Sequence, residues 1–97
     1  MLALDTEKQY HLTAMGKPER TKAAIFADPI RADIRWTDIE ALLRAEGAEI
    51  SEGRGSRVRI ALGGCKAVFH RPHPGDQTGK PTLRDVRDFL IKAGVKP

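Results

Sequence analysis

The chain has a single cysteine, Cys65, which excludes a disulfide framework and any zinc site built on several cysteines. Its neighbours, Gly64 and Lys66, do not suggest an activated thiol, so Cys65 reads as a small, partly buried residue of a reducing compartment. Aromatic residues are also scarce, at 5% of the chain, so the core must rest on Ile, Leu, Val and Ala. No apolar run is long enough to span a membrane, and the N-terminus lacks the apolar centre of a signal peptide. The expected location is therefore the cytoplasm, with no membrane partner. Internal repeats, low-complexity tracts, a Walker-type phosphate loop and cofactor motifs are all missing. No cofactor is expected, and a small metabolic enzyme has no motif to support it.

The 97 residues that are present allow one domain and leave no room for a second core. A hydrophobic content of 40% with 31% charged residues is that of a folding chain. A core of this size gives modest stability, which oligomerisation or a partner would reinforce. The formal charge is +4, from 17 basic and 13 acidic residues, and its distribution is uneven. Gly53 to Arg71 holds Arg54, Arg57, Arg59, Lys66 and Arg71 and no Asp or Glu. That one stretch carries more positive charge than the whole chain carries net, the pattern expected of an electrostatic footprint for nucleic acid.

Residues 1–17 are polar and without a clear period, and read as a flexible tail that includes an incidental His11; residues 18–97 form the single domain. Met15 is a candidate natural start. Glu19 to Ala27 reads as a short helix, with Pro18 at its first turn and Asp28-Pro29 ending it. Thr37 and Glu40 form a capping box at the start of a second helix, whose Ile39, Leu42 and Leu43 share one face and which Gly47 ends. Ala48 to Glu52 is extended, and Gly53-Arg54-Gly55 is a turn. Arg57 to Leu62 alternates cleanly, Gly63-Gly64 signals a hairpin, and Cys65 to His70 is the third strand.

The hairpin register can be tested on the sequence. With Gly63 and Gly64 as the turn, Leu62 faces Cys65, Ile60 faces Ala67 and Val58 faces Phe69, all on one apolar face. The other face pairs Arg57 with His70, Arg59 with Val68, and Ala61 with Lys66. A slip of one residue would drive the arginines into the core. A Pro- and Gly-rich loop from Arg71 to Pro81 follows. Thr82, with Asp85, then caps a last helix whose apolar face is Leu83, Val86, Phe89, Leu90 and Ala93. The expected fold is α+β, ordered α-β-β-β-α: a three-stranded antiparallel sheet with both main helices on one face, plus an extra short N-terminal helix.

The exposed hairpin face is the leading candidate site. Arg54, Arg57, Arg59, Lys66 and Arg71 would neutralise RNA phosphates, and arginine also stacks on unpaired bases. A solvated polar sheet face is the plainer alternative; the absence of acids from residues 53–71 argues against it. Gly55 and Ser56 form a tight turn that lets backbone approach a ligand. His70 and His73 are candidate catalytic residues, since a histidine can take a proton from a ribose 2′-hydroxyl near neutral pH and a nearby arginine can stabilise the phosphorane-like charge. Asp76 is the nearest acid, no third ligand appears, and no metal site is expected.

From Trp36 to Val95 the pattern resembles the HicA family of bacterial toxins, small mRNA interferases of toxin–antitoxin pairs. The residues that carry the resemblance are the amphipathic helix ending in Glu46-Gly47, the Gly55-Ser56 turn, Pro72-His73-Pro74, and the closing stretch from Pro81-Thr82-Leu83-Arg84 to Ala93-Gly94-Val95. The resemblance implies a fold like a double-stranded-RNA-binding domain, an endoribonuclease activity, messenger RNA as substrate and a HicB-like antitoxin as partner. It also implies a catalytic histidine directly after the Gly-Ser turn, where this chain has Arg57. Two readings follow. Either cleavage is lost and the chain binds RNA or serves as a non-catalytic, antitoxin-binding protein module, or cleavage persists with His70, opposite Arg57, as the relocated base.

Overall fold

The computed structural model describes residues 16–31 and 33–97. The start at Met15 and the incidental His11 lie outside the described residues, as does most of the expected tail. The elements run α1 (Lys17–Ile25), α2 (Trp36–Ala45), β1 (Glu49–Glu52), β2 (Arg57–Leu62), β3 (Cys65–His70) and α3 (Lys80–Lys92). This is the expected α+β order with its extra N-terminal helix.

Helix α1 begins and ends two residues earlier than its sequence limits suggest. Pro18 occupies the first turn, where its missing N–H costs nothing, and Gly16 is the extended N-cap. At the far end Arg87, on α3, donates from Nε to the Ile25 carbonyl at 2.9 Å and from Nη2 to the Ala27 carbonyl at 2.7 Å. Carbonyls left over where a helix ends need such partners. Ile25 is fully buried, so α1 adds to the core as well as to the surface.

The expected Thr37–Glu40 capping box does not form. Helix α2 has Arg35 as its N-cap, without a side-chain cap bond. Asp76, from the loop after β3, takes the capping role instead: its Oδ2 accepts from Thr37 Oγ1 at 2.7 Å and its Oδ1 from the Thr37 N–H at 3.3 Å. The Trp36 N–H donates to the Asp76 carbonyl at 2.8 Å, and the Thr78 N–H to the Ile34 carbonyl at 2.9 Å. The loop is thus stitched to the residues ahead of α2, and it delivers a negative charge to the helix N-terminus, where the backbone dipole favours one. Glu40 turns inward, away from the cap.

Thr82 does not cap α3 either. The helix starts at Lys80 with Gly79 as N-cap and Pro81 in the first turn, leaving Thr82 inside the helix. Proline is preorganised for that position, which explains the displacement.

The sheet order is β1-β2-β3, antiparallel throughout. The β2–β3 register pairs Leu62 with Cys65, Ile60 with Ala67, Val58 with Phe69 and Arg57 with His70, as the alternation requires. At the turn Gly63 and Gly64 have φ of +57° and +81°. Positive values at both central residues define the type I′ turn that matches strand twist.

Gly63 is needed for space as well as for conformation, since a Cβ there would lie 2.6 Å from the Ala93 carbonyl oxygen, whereas one on Gly64 would meet open space. Gly63→Ala should therefore lower stability by roughly 2 kcal/mol or more, and Gly64→Ala by less. Urea unfolding midpoints of the two variants would show that order.

Val58, Ile60 and Phe69 from the hairpin meet Trp36, Ile39, Leu42 and Leu43 of α2 and Leu83, Val86, Phe89 and Leu90 of α3 in one buried cluster. Phe69 packs at 5.9 Å from Trp36 and edge-on at 6.1 Å from Phe89, ring centre to ring centre. Three of the chain's few aromatics thus clamp the end of β3, fixing the backbone from which His70 and Arg71 project.

Candidate nucleic-acid interface

The β1–β2 connection closes tightly. The Gly53 N–H donates to the Arg57 carbonyl at 2.9 Å and the Arg57 N–H to the Arg54 carbonyl at 3.1 Å. Gly55 takes the left-handed φ of +62° that a side chain would resist. The Arg71 N–H donates to the Ser56 carbonyl at 2.8 Å, extending the β2–β3 pairing one step beyond His70. These bonds gather Arg54, Gly55, Ser56, Arg57 and His70 around one open pocket. The sequence places Arg54–Arg57 and His70 thirteen or more residues apart; the hairpin brings them together.

The rest of the outward face continues from this pocket. Strand alternation places Arg59 and Ala61 of β2 with Lys66 and Val68 of β3, and β1 adds Glu49 and Ser51 along a shallow groove. Val68 is 55% exposed. Arg59 reaches the Glu52 carbonyl at 3.5 Å. Among the described residues, Arg54, Arg57 and Lys66 have no carboxylate partner, and His70 has no side-chain hydrogen bond.

Arg71 occupies a different position. One step beyond His70, it turns toward the helix side of the sheet. Its Nε donates to Glu40 Oε2 at 2.8 Å and its Nη2 to Glu52 Oε2 at 2.7 Å. Glu40 is buried and also accepts from Trp36 Nε1. Its hydrogen bonds to Glu52, and then to Glu40, raise the Arg71 pKa well above its ordinary value. The same contact with Arg71 lowers the Glu52 pKa below the usual carboxylate value. The acid-free stretch from Gly53 to Arg71 therefore meets its acids in space, from α2 and β1. The charge of Arg71 is already matched, unlike the charges of Arg54, Arg57 and Lys66.

His73 is exposed on the loop after β3 and does not line the pocket with His70. The pairing of Glu40 with Arg71 does have a signal in the sequence. Trp36, Ile39, Glu40 and Leu43 follow helical i, i+3, i+4, i+7 spacing, which puts a carboxylate in the middle of a buried stripe. No cluster of three or more His, Cys, Asp or Glu side chains that could hold a metal occurs among the described residues.

An antiparallel three-stranded sheet, backed by helices on one face and bearing unpaired cations on the other, defines a small α+β domain of the double-stranded-RNA-binding type. A family model described as the HicA toxin of bacterial toxin–antitoxin systems matches residues 36–95. That span is well over half of the chain, and the chain belongs to the HicA toxin family. Helix α1 lies outside the matched span. Comparison with curated proteins and with solved structures returns no match. Among the described residues, no helix is long and apolar enough to cross a membrane.

Proposed function

We propose that this HicA-family protein binds RNA, messenger RNA above all, through the outward face of the β2–β3 hairpin. The observation that carries the reading is the pocket at the turn end of that face, where Arg54 and Arg57 stand beside the Ser56 hydroxyl without a carboxylate partner. Guanidinium groups and a hydroxyl donor suit the non-bridging oxygens of a phosphodiester. Arg59 and Lys66 extend the positive track along the same face, and exposed Val68 offers an apolar contact for an unpaired base.

The test is RNA affinity as a function of salt, measured with a labelled single-stranded messenger fragment. Four phosphate contacts on a single strand give a slope of about −3 in log K against log salt, or roughly a fiftyfold loss between 50 and 200 mM. RNA binding that is absent, or indifferent to salt, would overturn the reading. It would favour the second one, a non-catalytic module that docks a HicB-like antitoxin. The exposure of Val68 at the centre of a charged face is what speaks for a protein partner there. If RNA and antitoxin share this face, they compete for it.

A further inference from the structure

We infer that His70 is the general base of RNA cleavage in the turn pocket, acting across the strand pair from Arg57; the inference rests on RNA being the ligand. Three observations lead to it. His70 is exposed, has no side-chain hydrogen bond among the described residues, and lines the same pocket as Arg54, Ser56 and Arg57. The register places it directly opposite Arg57, and directly opposed side chains on neighbouring strands lie within contact of each other. Both of its chain neighbours are anchored, Phe69 between Trp36 and Phe89, and Arg71 between Glu40 and Glu52. The imidazole therefore projects from a fixed backbone into a pocket lined with phosphate-binding groups.

The chemistry assigns different work to the two facing residues. A guanidinium stays protonated and cannot accept a proton, so Arg57 is confined to holding phosphate oxygens. A neutral imidazole can take one. With a phosphodiester seated on Arg54 and Arg57, His70 removes the proton from the adjacent ribose 2′-hydroxyl. The 2′-oxygen forms a bond to phosphorus as the bond from phosphorus to the 5′-oxygen breaks. The departing 5′-oxygen takes a proton from water, and the imidazolium returns its own proton to the hydroxide so formed. The products are a 2′,3′-cyclic phosphate and a 5′-hydroxyl, with no net consumption of water. Arginine charge at the pocket offsets the negative charge that grows on the phosphoryl oxygens. His73, outside the pocket, has no place in this step.

The experiment compares wild type, His70→Ala and His73→Ala on an in vitro messenger transcript, with a DNA strand of the same sequence as control and a chelator present. Wild type should leave cyclic phosphate and 5′-hydroxyl ends and spare the DNA. His70→Ala should cut about 10²–10⁴-fold more slowly while binding RNA as tightly, and His73→Ala should cut like wild type. Equal cutting by wild type and His70→Ala would overturn the inference, as would 3′-hydroxyl products, an absolute need for a divalent cation, or loss of RNA affinity in step with cleavage. Wild type that binds RNA without cutting it would overturn the base while leaving RNA binding in place. Wild type that fails to bind RNA would overturn both.

Discussion

Replacing Arg57 and Arg59 together by glutamate should lower RNA affinity about a hundredfold at physiological salt and roughly halve the salt slope. Both side chains are exposed on the outward face, and their strand neighbours Val58 and Ile60 supply the buried contacts. The fold should therefore survive with an unchanged unfolding midpoint, and the loss should appear in binding alone. Reversal removes two phosphate partners and adds two repulsive charges beside Arg54 and Lys66. Titration of the same RNA with wild type and variant at two salt concentrations reads both effects. Unchanged affinity would show that the cationic face is only a solvated surface.

The second large effect falls on stability. Glu40→Ala should destabilise the protein by about 2–3 kcal/mol, because it leaves the buried Trp36 indole N–H without its acceptor and takes from Arg71 the buried one of its two carboxylates. Thermal unfolding would register this as a drop of roughly 10–20 °C for a domain of this size. Glu40→Gln should cost less, since the amide oxygen still accepts from Trp36. An acid dependence accompanies the same network. Arg71 keeps the folded-state pKa of Glu52 below its unfolded value, so protons bind the unfolded chain more readily. The contribution is fully present at neutral pH and is lost as the pH falls through the carboxylate range. Glu52→Gln should flatten the acid limb of a stability-against-pH curve.

These two effects separate cations that look alike in the sequence. Arg57, Arg59 and Arg71 all sit in one acid-free stretch, and composition assigns them one role. Alternation distinguishes them only when the strand is followed to its end. Arg57 and Arg59 alternate with buried Val58 and Ile60, whereas Arg71 comes one step after outward-facing His70. Its partners then come from two other elements. Glu40 lies 31 residues away and Glu52 lies 19, distances over which no local pattern names a partner.

The same contrast runs through the helix ends. The Thr37–Glu40 spacing fits a capping box, yet Asp76 supplies the carboxylate from 39 residues away. Arg87 reaches 62 residues back to the end of α1. In each case a local motif met a stronger partner delivered by the loop or by the neighbouring helix.

By itself the sequence determined the α+β order, the hairpin and its register, and with them the facing of Arg57 and His70. All of these follow from side-chain period and from two turn glycines, which are local properties of the backbone. Only the tertiary structure decided which cations remain free. Pairing depends on which carboxylates packing brings within a few ångströms, and that choice is made between elements far apart in the chain. The end of β3 shows both: period sets His70 outward beside Arg57, and packing gives Arg71 to Glu40 and Glu52.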